Sequence, residues 1–146
     1  MSASNAFETA LLTLLFNNTN IANVGDATGL RGSSTAGSLY VSLHTSDPGE
    51  AGDQTTNETA YTNYARVAVA RSGAGWTISS ANASNAAAVN FPACGASGAT
   101  ITHFGIGTAS SGAGVLLFKG ALSSSLAVAS GITPSFAIGD LDVNAD

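Results

Sequence analysis

His44 and His103 are the only histidines in this 146-residue chain, and Cys94 is its only cysteine. Catalysis near neutral pH usually needs such a titratable group beside a nucleophile or a metal. His44 closes an alternating apolar segment and Asp47 follows three residues later, so the spacing allows a His–Asp pair at a strand end. Serines are plentiful, yet no G-x-S-x-G elbow presents one as a nucleophile. Asp47, Glu50, Asp53 and Glu58 fall within twelve residues, among Gln54, Asn57 and several glycines. Oxygen ligands on a flexible loop suit calcium, but the spacing departs from an EF-hand, and a solvated acidic loop accounts for the same residues. A lone cysteine with two distant histidines does not meet zinc spacing. Lys119 lies between Phe118 and Gly120 rather than in a phosphate loop, and Gly105-Ile106-Gly107 lacks the third glycine of a dinucleotide fingerprint. The expectation is no catalytic residue, no metal and no cofactor.

Charge narrows the classes further. Only 9% of the residues are charged, against roughly 25% in ordinary globular domains. The formal net charge is −5, and the basic residues are Arg31, Arg66, Arg71 and Lys119. Four scattered cations cannot line a groove for a phosphate backbone, and they give no purchase on an anionic membrane. No apolar run reaches the ~18–20 residues that span a bilayer. The opening MSASNAFETALLTLLF carries Glu8 and no basic residue, which argues against a signal peptide. One cysteine cannot form an intrachain disulfide, which fits folding in a reducing cytoplasm. Ala, Ser and Gly together fill 63 positions. Such a surface has little charge to keep it apart from other molecules, and points to a domain that works in an assembly.

The elements that would position these residues are legible in outline. Ser4 can cap a helix in which Phe7, Leu11, Leu14 and Leu15 form one apolar stripe, ended by Asn17-Asn18-Thr19-Asn20. That stripe either covers one end of the core or docks on a partner. From residue 38 onward the pattern becomes short strands between turns. Leu39, Val41 and Leu43 alternate inward, as do Val67 and Val69, with Arg66 pointing outward. Trp76-Thr77-Ile78 follows Gly73-Ala74-Gly75 as in a hairpin. Further strands are expected over 88–91, 100–106, 115–119, 135–138 and 141–143. Val115 to Phe118 puts apolar groups on both faces and predicts burial on both sides, by the fold or by a partner. The sum is one mainly β domain, an antiparallel sandwich or jelly roll over 21–146, preceded by a helical arm over 1–20.

Loop 45–63 has nineteen residues without clear periodicity, and loops of that length in a compact domain usually carry a contact. Tyr40, Tyr61, Tyr64 and Trp76 surround it in sequence, and such aromatics serve either as interface residues or as core anchors. The candidate interface residues are therefore Leu11, Leu14, Leu15, Tyr40, Asp47, Glu50, Tyr61, Tyr64 and Trp76.

Two stretches carry a resemblance. Residues 38–52, SLYVSLHTSDPGEAG, continue to Tyr61-Thr-Asn-Tyr-Ala-Arg-Val, and His103-Phe-Gly-Ile-Gly-Thr-Ala is followed by 116–122 and Ile132-Thr-Pro-Ser-Phe-Ala-Ile-Gly. This order resembles a family of small tailed-bacteriophage structural proteins, over most of residues 6–143. The resemblance implies a virion component made in the bacterial cytoplasm, either a head decoration protein or a tail-fibre-like protein. Fibres are usually long and repetitive. A short, weakly charged domain therefore favours a decoration protein on the capsid surface, bridging major capsid protein subunits and forming a symmetric dimer or trimer. The alternative is a tail-associated protein that contacts the host surface.

Overall fold

A computed structural model describes residues 3–145; residues 1, 2 and 146, the outermost positions of the expected arm and domain, lie outside the described residues. The elements are α1 (Asn5–Asn17), β1 (Ser38–His44), β2 (Val67–Ala70), β3 (Trp76–Ser79), β4 (Asn82–Asn85), β5 (Val89–Asn90), β6 (Ala99–Gly107), β7 (Leu116–Val128), β8 (Ser135–Phe136) and β9 (Asp142–Asn144). The protein is mainly β with antiparallel pairing and an N-terminal helix, as the periodicity leads one to expect. Two compact units form, one from Met1–Ser38, Val69–Val89 and Phe136–Asp146, the other from Leu39–Ala68 and Asn90–Ser135.

In the first unit the Ser4 side chain accepts from the Phe7 N–H, and Glu8 in the first turn complements the helix dipole. Asn18 ends the helix in the left-handed region at φ 55°. No basic residue occupies the last turn. Arg71 supplies one from afar, its Nε donating to the Leu15 carbonyl at 2.6 Å and its Nη2 to that of Leu14 at 2.9 Å. The buried face differs from the expected stripe. Leu12 and Phe16 are buried, whereas Phe7 and Leu11 are 44% and 42% exposed. Apolar residues occur nearly all around this helix, so spacing alone does not choose a face. Trp76 chooses it: its ring meets that of Phe16 edge-to-face at 4.7 Å.

Strands β3, β4 and β9 form the sheet of this unit, in the order β3-β4-β9. Ala83 and Asn85 of β4 point inward together with Leu141 and Val143. The sequence Asn-Ala-Ser-Asn reads as a turn, yet buried Asn85 has every polar group occupied. Its amide nitrogen donates to the carbonyls of Ala87 and Ala137, and its side-chain oxygen accepts the Leu141 N–H. A buried amide so satisfied costs little. The expected hairpin at 73–75 is corrected: β2 pairs in another sheet, and β3 turns to β4. Gly75 and Trp76 both donate their N–H to Ser72 O, and a Cβ on Gly75 would stand 2.1 Å from the Ala70 carbonyl. The turn therefore bends the chain too tightly for any residue but glycine.

The four-stranded sheet runs β2-β1-β6-β7. In register, Tyr40 faces Gly107 and His44 faces His103. Leu39, Val41 and Leu43 are buried as their alternation predicts, but Ser42 and His44 on the opposite face are buried too. Strand β7 needs the larger correction. It runs to Val128, nine residues beyond the expected end at Lys119, and it lies at the sheet edge. Leu116, Leu117 and Phe118 are half-buried and Val115 is 58% exposed. The fold does not cover both faces of this segment. Strands β5 and β8 form a separate two-stranded pair.

Candidate functional site

Loop 45–63 folds back along the end of β1 instead of hanging free. Thr45 N–H donates to Asn57 O, Thr59 N–H donates to Leu43 O, and the Asn57 side chain donates to Asp47 O. Asp53 holds a turn of its own by accepting from the Thr55 N–H and hydroxyl. Gln54 is fully buried beneath the loop, its side-chain oxygen accepting from Ala109 N–H at 2.9 Å. It fits because Gly107 has no Cβ, which would stand 2.2 Å from Gln54 Cδ. Local polar closure thus takes the place of the periodicity the loop lacks.

Glu58 anchors the far side. Arg66 grips it with two parallel bonds of 2.7 Å, from Nε to Oε1 and from Nη2 to Oε2. The same guanidinium donates to the carbonyls of Ala109 and Gly112, each at 2.8 Å. Tyr64 donates its hydroxyl to Glu58 Oε1 and accepts from Leu43 N–H. Burial pushes the Tyr64 phenol far up from its ordinary value, and the Glu58 bond holds the Arg66 guanidinium up as well. Arg66 therefore does not point outward; its side chain is 3% exposed. Alternation along 64–71 missed this because a cation whose donors meet four acceptors is more stable inside than its residue type suggests.

His44 does not meet Asp47. Its Nδ1 donates to the Thr56 carbonyl at 2.9 Å, since a carbonyl can only accept, and neutral Nε2 then accepts from Ser42 Oγ at 2.8 Å. Ser42, His44 and a carbonyl lie in the order of a nucleophile relay, but both side chains are 0% exposed. No substrate carbonyl can stand beside that hydroxyl. Burial, the largest influence, depresses the His44 pKa below the ordinary 6.5; the Thr56 bond and Glu58 oppose it, while Arg66 and His103 add to it. The unfolded chain thus takes up this proton first. The stabilisation from neutral His44 is complete above about pH 6.5 and is lost as pH falls through the depressed folded value. A His44→Gln variant is expected to lose less of its melting temperature between about pH 7.5 and 5 than the parent. Parallel pH profiles of the two melts would show that another group governs acid stability.

The acidic residues of the loop do not converge. Asp47 and Glu50 each reach Lys119 of β7 at 3.1 Å. The Gly49 N–H first, and then Lys119, lower the Asp47 pKa. Asp53 and Glu58 are engaged as described above. Among the described residues, no group of three His, Cys, Asp or Glu side chains is placed to hold a metal ion. Between the loop and the edge strand lies a groove of about 260 Å³, lined by Gly49, Glu50, Gly52 and Leu116 to Lys119. Asp47 and Glu50 are exposed at its rim.

The remaining interface candidates are dispersed. Leu11 is exposed on α1, while Leu14 and Leu15 are half-buried. Tyr40 is half-buried in β1. Tyr61 is buried and donates its hydroxyl to Pro92 O, with the Tyr64 ring at 5.3 Å. Trp76 is fully buried in the first unit. Tyr61 and Trp76 thus act as core anchors, the other role open to such aromatics. The groove residues Leu116, Leu117 and Phe118 were not among the candidates; their signal was the apolar character of both faces.

The chain matches, over residues 2–144, the family described as podophage GP4 fiber I protein gp80. It belongs to that family. A match of this extent covers α1 and all nine strands, so both compact units belong to the family pattern. No curated protein matches the chain. As a member of the podophage fiber I family, the protein is a structural component of a small tailed-phage virion. The resemblance carried by residues 38–52 and 61–67 and by the stretches from His103 onward is thereby confirmed at the level of the family.

Proposed function

We propose that the protein is a non-enzymatic part of the phage tail, a fibre-associated domain that works by surface contact. The family description, fiber I protein over residues 2–144, carries this reading. The chemistry of the molecule agrees with it. The Ser42–His44 pair is sealed, Asp53 is held by Thr55, and Glu58 is held by Arg66. What remains outward is the groove against β7, rimmed by Asp47, Glu50 and Lys119. That rim is the surface the reading assigns to contact with a virion neighbour or a host surface molecule.

A capsid-decoration role rests on the small, weakly charged surface alone, and the family description favours the tail. Copy number in separated heads and tails distinguishes them. The expected result is a small number of copies per particle, found with the tail fraction. Hundreds of copies in purified heads would overturn the tail reading and restore decoration.

A further inference from the structure

We propose that residues 121–127 of β7 form a two-fold contact with a second copy of this chain. The segment Ala121-Leu122-Ser123-Ser124-Ser125-Leu126-Ala127 reads identically in both directions. When two copies lie antiparallel about an axis through Ser124, Leu122 meets Leu126 of the copy, and Ala121 meets Ala127. Ser123 meets Ser125, and Ser124 meets itself. Each pair matches apolar to apolar or hydroxyl to hydroxyl, the combinations that stabilise adjacent antiparallel strands. An isologous contact needs this self-complementarity, and a heterologous partner would gain nothing from it.

The structure leaves the segment available. It lies on the edge strand of its sheet. All of its residues are exposed except half-buried Leu122. The register with β6 shifts across it: Ile101 faces Leu126, while His103 faces Ala121. Leu122 to Ser125 therefore stand opposite Thr102 alone, and one residue of β6 cannot satisfy the backbone groups of four. Such a bulge also interrupts the regular ladder, which opposes open-ended stacking of sheets while a two-fold contact closes after two copies.

Charge points the same way. From Gly120 to Gly139 the sequence holds no charged residue. Closing the contact buries no ion and opposes no like charges. The whole molecules, each at −5, still repel at long range. Added salt screens that repulsion, so association should strengthen with ionic strength. A contact made by opposite charges would weaken instead.

Sedimentation equilibrium of the full chain at low and high salt tests the proposal, whichever part of the virion holds the protein. The expected result is a monomer–dimer equilibrium that tightens with salt and weakens at least tenfold in Ser124→Arg, with the two melting curves coinciding at concentrations where both proteins are monomeric. A second variant, Ser124→Cys, is oxidised with glutathione disulfide, two thiols giving one disulfide as two electrons and two protons pass to glutathione. It should give a covalent dimer, whereas Ser111→Cys, on an exposed loop, should not. A monomer at every concentration, a trimer, a dimer indifferent to Ser124→Arg, or equal cross-linking of both cysteine variants would overturn the proposal.

Discussion

Arg66→Met is expected to lower the unfolding free energy by about 3 kcal/mol, at the lower end of the range for breaking a buried ion pair. The lower end applies because 15% of the Glu58 side chain reaches solvent. Removing the guanidinium leaves the Glu58 carboxylate with Tyr64 as its remaining side-chain partner, and it deprives the carbonyls of Ala109 and Gly112 of a donor. The cost arises from these stranded groups more than from the lost attraction. The double variant Glu58→Gln with Arg66→Met should accordingly be less destabilised than the sum of the singles. Urea unfolding of the four proteins measures that coupling. Additive losses would mean that Arg66 acts through its aliphatic stem, by packing alone.

Trp76→Ala carries the other large effect, about 3–5 kcal/mol. The ring is 0% exposed and packs at 62° against Phe16, so its removal opens a cavity and takes away the partner that selects the buried face of α1. Trp76→Phe should lose much less. The indole Nε1 has no hydrogen-bond partner among the described residues, so phenylalanine gives up volume but no bond. Guanidinium or thermal unfolding followed by circular dichroism compares the two. Equal losses in both variants would assign the effect to the indole nitrogen rather than to packing.

These two residues mark what the sequence discloses and what it conceals. Alternation at Leu39, Val41 and Leu43 is decisive because period two leaves a strand only two faces, and three apolar residues on one face settle it. The helix offers no such economy: Leu11, Leu12, Leu14, Leu15 and Phe16 lie on several sides, and a partner sixty residues away makes the choice. Asn82 to Asn85 stayed hidden because asparagine favours turns, and only the carbonyls of Ala87 and Ala137 make Asn85 a core residue. Arg66 is the same case with a charge. In each, local composition describes what a residue does in water, whereas its actual neighbours come from distant segments. The groove is half legible: loop 45–63 stands out by length, but the apolar signal of its companion β7 ends at Lys119, and the small and polar residues of 120–125 carry none that extends the strand to Val128.

The distribution of aromatic rings gives the molecule its own optical labels. Its single tryptophan belongs to the first unit, and all three tyrosines, Tyr40, Tyr61 and Tyr64, fall within Leu39–Ala68 of the second. Emission excited at the red edge of the spectrum follows the first unit alone, while tyrosine absorbance follows the second. One unmodified sample in one denaturant series thus records two transitions separately. Their coincidence would identify a single cooperative system, and their separation would assign a stability to each unit.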